Sequence, residues 1–467
     1  MSIRAITRAL TLAVSVVALA GCGAGERLSN LNPFGGEETD DPNAPAQSER
    51  VSVLELEERL ASNVEQAPVR LPRSYVNRAW PQPDGYATHA MQHTAASGGL
   101  NRVWREAAGA GSNNDRRVNA RPVIAEGVVF AIDATGRVSA RSLETGAEQW
   151  RTRLSEDRRE AEDDSWIPFM GGGDQVLTFG GGVAYDSGRI YAHAGGMTLF
   201  ALDAQTGDEL WRAEALTPFH SAPTAVDGRV FVTTDDNELL AIGAEEGEIQ
   251  WTHRSIAETA RLLTAPSPAV AGEVVIAPFT SGEVVALRVQ NGATLWSDSL
   301  TRTGGLTPLS SINDIAASPV AIGDRVYAMS HSGVMAAFDL NSGERIWTLP
   351  AGGLHAPYLA GDYLFLVTTD AEVAAIDRNE GQVRWITQLP AFRNAEKRRD
   401  RISWAGPILA GDRLVLVSSQ GEMVILDPVT GDRLEDRDVG EPVYIAPVIA
   451  EETVVVFTDE ARLIAYE

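Results

Sequence analysis

Apolar and polar positions along this chain follow a pattern that it writes again and again. In Ala201-Leu202-Asp203-Ala204-Gln205-Thr206-Gly207-Asp208-Glu209-Leu210-Trp211 an apolar run ends at Asp203 and Thr206-Gly207 reverses the chain. The returning run then carries one large apolar anchor, Trp211. Gly suits the reversal because it reaches the positive φ such a turn often needs. A Gly with a Trp four positions on recurs as Gly146/Trp150, Gly247/Trp251, Gly292/Trp296, Gly343/Trp347 and Gly381/Trp385. A further turn, Asp427-Pro428-Val429-Thr430-Gly431, has Glu435 where the Trp would fall. A second landmark has the same period, a small residue then Pro or its equivalent, an apolar run and Gly, as in Ala222-Pro223 to Gly228 and Ser318-Pro319 to Gly323. A β-branched or aromatic run such as Arg229-Val230-Phe231-Val232 follows. Three strands and then the Trp strand make four per repeat.

Successive Trp stand about 40 to 60 residues apart, the period of propeller blades rather than of helical repeats. Inner-strand signals begin near Pro122, Val183, Pro223, Pro268, Pro319, Pro357, Pro407 and Pro447. The last repeat runs through Val454–Phe457 and Leu463–Tyr466 without a Trp strand, while Leu100-Asn101-Arg102-Val103-Trp104-Arg105 lies unclaimed upstream of the first. The pattern therefore predicts an all-β chain over 98–467: an eight-bladed β-propeller of four-stranded antiparallel blades, closed by the N-terminal strand. Seven blades remain if one set is degenerate. Closure removes the exposed edges that invite aggregation. Trp104, Trp150, Trp211, Trp251, Trp296, Trp347 and Trp385 are expected to be structural anchors between blades rather than a platform for a cofactor.

Composition changes this picture little. A 44% apolar content suffices for packed sheets, 43 Gly suit a turn-rich chain, and a net charge of −25 makes nucleic acid a poor partner. The N-terminus changes it more. Arg4 and Arg8 precede an apolar run, Ala9 to Ala20, that is too short to span a bilayer. The run ends in Leu19-Ala20-Gly21-Cys22, and Cys22 is the single Cys of the chain. This tetrapeptide resembles a bacterial lipobox, which implies a signal peptide over 1–21 and acylation of Cys22. Gly23, not Asp, follows, so the outer membrane is the expected destination, facing the periplasm. Several acyl chains would make such an anchor stable. Residues 22–50 read as an acidic flexible tether. Residues 51–97 read as a short amphipathic helix (Val51 to Ala61) and then a Pro-punctuated strap, with Trp80 plugging onto the propeller.

No catalytic constellation emerges. His89 and His93 are four apart but have no third ligand, and no Gly-x-Ser-x-Gly elbow occurs. Asp203, Asp339, Asp377 and Asp427 recur at one repeat position, as turn formers would. The Gly triplets that end the insertion from Ser155 to about Gly181 lack the Lys-Ser/Thr of a phosphate loop. The run from Arg393 to Arg401 reads as a solvated basic loop. No metal or cofactor is expected.

The repeat Ala-Leu-Asp-x-x-Thr-Gly-x-x-x-Trp resembles that of the PQQ-like propellers. Joined to the lipobox, the tether, the strap Trp80-Pro81-Gln82-Pro83 and eight repeats, it resembles the BamB family. These are propeller lipoproteins of the outer-membrane protein assembly (BAM) complex. The resemblance covers essentially the whole chain. It implies a non-catalytic scaffold that binds the POTRA region of the barrel-inserting subunit and other BAM components. Unfolded outer-membrane proteins are a further implied class of partner. By position, the family's partner loops correspond to Leu216, Thr217, Pro218, Phe219 and His220, and to Asn313, Asp314 and Ile315. Ala316 stands where the family has a second acid, and Pro218-Phe219 replaces its Leu-Arg pair. Phe219 is expected either as an exposed apolar anchor with Asp314 at the rim, or as a plug on its own blade. The alternatives are a PQQ- and Ca²⁺-dependent quinoprotein dehydrogenase, and a propeller that binds cell-wall sugars or a peptide.

Overall fold

The computed structural model describes residues 60–61, 68–155, 181–256, 258, 262, 264–301 and 313–467. Cys22, the tether, most of Val51 to Ala61 and most of the Ser155–Gly181 insertion lie outside them. The described chain forms eight four-stranded antiparallel sheets and one added hairpin. Blade 1 is Val123–Ala125, Val128–Ile132, Arg137–Ser142 and Glu148–Arg153. Blades 2 to 7 repeat it, their inner strands beginning at Gly182, Thr224, Ala269, Val320, Tyr358 and Trp404. Blade 8 joins Val448–Ala450, Thr453–Phe457 and Arg462–Tyr466 to Arg102–Ala107, so the N-terminal strand closes the ring. Second strands are buried along nearly their whole length, Val274–Pro278 throughout, because both faces of each blade meet a neighbour. Six of the repeat prolines stand just before their inner strands. Pro407 lies within its strand, at a register slip between Ala405 and Ile408, where an edge strand tolerates a missing donor.

Seven junctions between blades are built alike. Each Trp of a fourth strand lies opposite an Ala of the third, as in Trp150↔Ala140 and Trp211↔Ala201, which leaves room for the ring. The indole N–H then crosses to the next blade: Trp104 to the Leu143 carbonyl (2.8 Å), Trp150 to Ala204 (2.9 Å), Trp211 to Ala244 (2.9 Å) and Trp251 to Val289 (2.9 Å). Trp296, Trp347 and Trp385 do the same to Leu340, Arg378 and Pro428. The turn Gly has a second reason to be Gly. A Cβ on Gly207, whose φ is +76°, would sit 2.5 Å from the Trp150 ring of the preceding blade. So Gly and Trp of one repeat serve two different junctions. Burying one such ring contributes roughly 4 kcal/mol as an upper estimate.

The eighth junction differs. Glu435 lies opposite Ile425, which leaves no space for an indole. Arg437, paired with Glu435 (2.7 Å), donates instead to the carbonyls of Gly99 (2.6 Å) and Leu100. Those carbonyls stand where the other blades have a continuous turn, next to the backbone pair between Glu467 and Asn101 that leads into the closing strand.

Within each blade, the turns from first to second and from third to fourth strand share one end of the ring. Entries to the blades and second-to-third turns share the other. At the turn end, residues Asn77 to Ser97 form a belt that bonds to every blade in order. Asn77 binds Ile449 and Glu451 of blade 8, and Trp80 exchanges backbone bonds with Ile124 of blade 1 (2.7 and 2.9 Å). Pro81 accepts from Tyr185 of blade 2, and the Gln82 amide holds both N–H and C=O of Ala225 in blade 3 (2.9 and 2.8 Å). Ala87 and Thr88 accept from Val270 and Ala321 of blades 4 and 5, Gln92 from Gly361 of blade 6, and Thr94 from Gly411 of blade 7. Ser97 returns to Glu452 of blade 8 (3.2 Å). The belt thus satisfies inner-strand groups that a bare propeller would leave facing its channel.

Candidate partner-binding face

The entry face carries the loops singled out in the sequence. Leu216, just beyond Glu209–Glu214 of blade 2, is 85% exposed. Thr217 and Pro218 are half-buried. The chain then turns inward to begin blade 3, and its next side chains go with it. Phe219 is fully buried; its N–H donates to Gly196 (2.9 Å) and its ring lies 5.2 Å from that of His193. Of its two expected roles, the structure has the plug and not the exposed anchor. His220 is also buried, with Nδ1 3.5 Å from the Asp235 carboxylate. Burial holds His193 well below its usual range, at about 4, and its Nε2 is bonded to the Ser221 carbonyl (2.8 Å).

The second loop is described from Asn313, which is half-buried. Asp314 and Ile315 are fully buried. The Asp314 carboxylate accepts from the N–H of Leu262 (2.8 Å), and its carbonyl accepts from His331 (2.9 Å). Asp314 therefore ties loops of neighbouring blades together, and the expectation of a polar group on an interface rim is corrected. A carboxylate bonded to backbone N–H groups is a strut.

What stands in solvent on this face is different in part. Met197, in the second-to-third turn of blade 2, is 47% exposed and accepts the Ala215 N–H (2.8 Å), so it neighbours Leu216. Ile256 at the entry to blade 4 is 65% exposed, and Tyr444 at the entry to blade 8 is 45% exposed. Met197 had a legible signal: it occupies the turn position held by Gly136, Asn237, Gly282 and Gly421 in other blades. The basic run Arg393–Arg401 forms a hairpin, Phe392–Asn394 with Arg399–Arg401, and the guanidiniums of Arg398 and Arg401 cover the Phe392 ring.

The recurring Asp residues act in the turns. Asp203 accepts from the N–H groups of Gln205 and Thr206, both at 2.9 Å, which lowers its pKa. The rings of His89 and His93 are engaged by carbonyls: Pro319 (2.7 Å) for the first, Pro72 (2.6 Å) and Gly411 (2.9 Å) for the second. Among the described residues, no group of three or more His, Cys, Asp or Glu is gathered as metal ligands.

Comparison with known proteins agrees with this geometry. The family model of the outer membrane protein assembly factor BamB matches residues 54–178, 134–387 and 393–467. The chain is 25% identical to BamB of Yersinia pestis over 366 residues, 78% of this chain and 88% of that one. It is 28% identical to BamB of Burkholderia pseudomallei over 372 residues, 79% and 88% of the two chains. Among solved structures, BamB from Moraxella catarrhalis superposes with a TM-score of 0.64 at 17% identity, covering 79% of this chain and all of that one. A europium-containing methanol dehydrogenase reaches the same TM-score at 12% identity, with 82% and 90% covered, a likeness of fold alone. With its eight blades, Trp-sealed junctions and match along nearly the whole ring, the chain belongs to the family of the outer membrane protein assembly factor BamB.

Proposed function

We propose that this protein is a non-catalytic scaffold lipoprotein of the outer-membrane β-barrel assembly machinery. Lipid on Cys22 anchors it in the outer membrane, facing the periplasm. Its entry face binds the POTRA region of the barrel-inserting subunit, and other assembly components and unfolded barrel proteins are further partners. The observation that carries this reading is the exposed pair Leu216 and Met197 on the entry face of a rigid ring whose opposite face is belted. Apolar side chains held at fixed spacing by a scaffold suit a modest protein interface. A non-enzymatic role is supported by where the histidines go: His89, His93 and His193 are engaged by backbone carbonyls.

The test is a pull-down of the native lipoprotein from detergent-solubilised outer membrane. A large β-barrel protein with periplasmic repeat domains is expected, and recovery should fall with the double change Leu216→Asp and Met197→Asp. Unchanged recovery would move the interface elsewhere. A clean monomer from the native chain would contradict the scaffold and favour a ligand-binding propeller. Adding PQQ with Ca²⁺ should leave the melting temperature unchanged; a rise would revive the dehydrogenase.

A further inference from the structure

At the centre of the entry face lies a cavity of about 350 Å³. The entries to the blades form its walls, with apolar groups such as Val118, Ala222, Leu354, Ala356 and Ile445. The belt forms its floor, through Pro83 and Asp84.

The floor is polar in an uneven way. Asp84 reaches up from the belt and is held by Arg121 of the entry to blade 1 and by the hydroxyl of Ser318 (2.6 Å) at the entry to blade 5. Both its oxygens are thus taken. Arg121 also donates to Nδ1 of His355 (3.1 Å). A guanidinium has only donors, so the proton of this neutral imidazole sits on Nε2. Burial and the charge of Arg121 keep His355 neutral, its pKa pushed down to about 3. Two further groups on the lining, the Asn119 amide nitrogen and the Thr264 hydroxyl, are buried and make no hydrogen bond among the described residues. Both Asp84 oxygens already accept, while Asn119 Nδ2, His355 Nε2 and the rest of the Arg121 fork remain to donate and the Thr264 hydroxyl can donate or accept.

Charge narrows the choice of ligand. Asp84 and Arg121 neutralise each other on the floor, and the lining holds one further residue of each sign, Arg117 and Asp459. An anion on the floor would lose its hydration beside the Asp84 carboxylate, where Arg121 is already paired. We propose that the central cavity binds a small uncharged molecule with an apolar body and carbonyl-type acceptors, the acceptors lying on Asn119, Thr264 and His355. The volume suits such a ligand, at the lower end of small-molecule pockets. A buried ion pair is weak evidence for stability by itself, whereas at the bottom of an open cavity it orients donors toward whatever occupies it. This site does not rest on the scaffold reading, and a failed pull-down would leave it standing.

Titration calorimetry or ligand-observed NMR on the full chain tests it, with a series of N-acetyl amino-acid methylamides of apolar side chains and their free-acid counterparts. The methylamides of fitting size should bind saturably, and the acids at least ten-fold more weakly. Ala356→Leu, which fills the cavity without touching the ion pair, should abolish binding while the melting temperature stays within a few degrees. His355→Phe should weaken it several-fold. Absence of saturable binding across the series, acids that bind as well as the amides, or binding indifferent to Ala356→Leu would each overturn the proposal.

Discussion

On the turn face, residues Asn77 to Ser97 bond to each blade in succession, and the side chains Trp80, His89 and Thr94 are buried beneath them. On the entry face, the described connections make local bonds, such as Phe219 to Gly196 and His331 to Asp314, and leave Leu216, Met197 and Ile256 in solvent. The contrast teaches where this molecule places its order. An irregular segment that crosses eight inner edges adds bonds that no single blade could make, and it takes one face out of use. The other face is left with loops of fixed position and free side chains, which is where binding is expected on a rigid scaffold.

Changes that should break the contrast rank by burial. Trp80→Ala removes a ring that is 2% exposed and should lower stability by about 3–5 kcal/mol, read from denaturant midpoints. Phe219→Ala should cost a similar 3–5 kcal/mol although it lies in a loop of the entry face, because the side chain is a plug. A loss under 1 kcal/mol would return Phe219 to the surface.

Acid acts on both faces at once. His89 on the belt and His193 at the entry are each depressed by burial from 6.5 to about 4. The folded state holds them neutral, while the unfolded chain takes up protons near pH 6.5. Their contribution is therefore complete above that pH, falls as pH drops toward about 4, and then stops falling. The size is on the order of 3 kcal/mol for each group. Melting temperature should decline steadily from pH 7 to pH 4.5; a flat profile would show that these rings are not buried neutral.

The smallest effect on stability should come from Leu216→Asp with Met197→Asp, within about 0.5 kcal/mol, since exposed side chains contribute little to the fold. Its effect should appear in partner recovery alone.

Much of the ring was legible in the residues, because a repeat states the same physics many times. Gly207 and Trp211 mark a turn and an anchor, and the unclaimed Trp104 implied closure by the N-terminal strand. What stayed hidden has physical reasons. The path of the belt has no periodicity, since its bonds are made by backbone and by single side chains such as Gln82 to partners more than a hundred residues away. The inward course of Asp314 follows from the need of its loop to start an inner strand, which a linear reading of exposure does not see, while for Phe219 the residues leave plug and anchor both open. At the eighth junction Glu435 flagged an exception, but the substitute, Arg437 on the carbonyls of Gly99 and Leu100, joins segments far apart in sequence that only the closed ring brings together.

The entry face can be tested against the belt face directly by site-specific photo-crosslinking in cells. One crosslinker replaces Leu216, and a second replaces Val76, which is exposed next to the belt. Adducts to a large outer-membrane β-barrel protein are expected from position 216 and not from 76. Adducts from 76 alone, or from neither position, would contradict an assembly scaffold that works through its entry face.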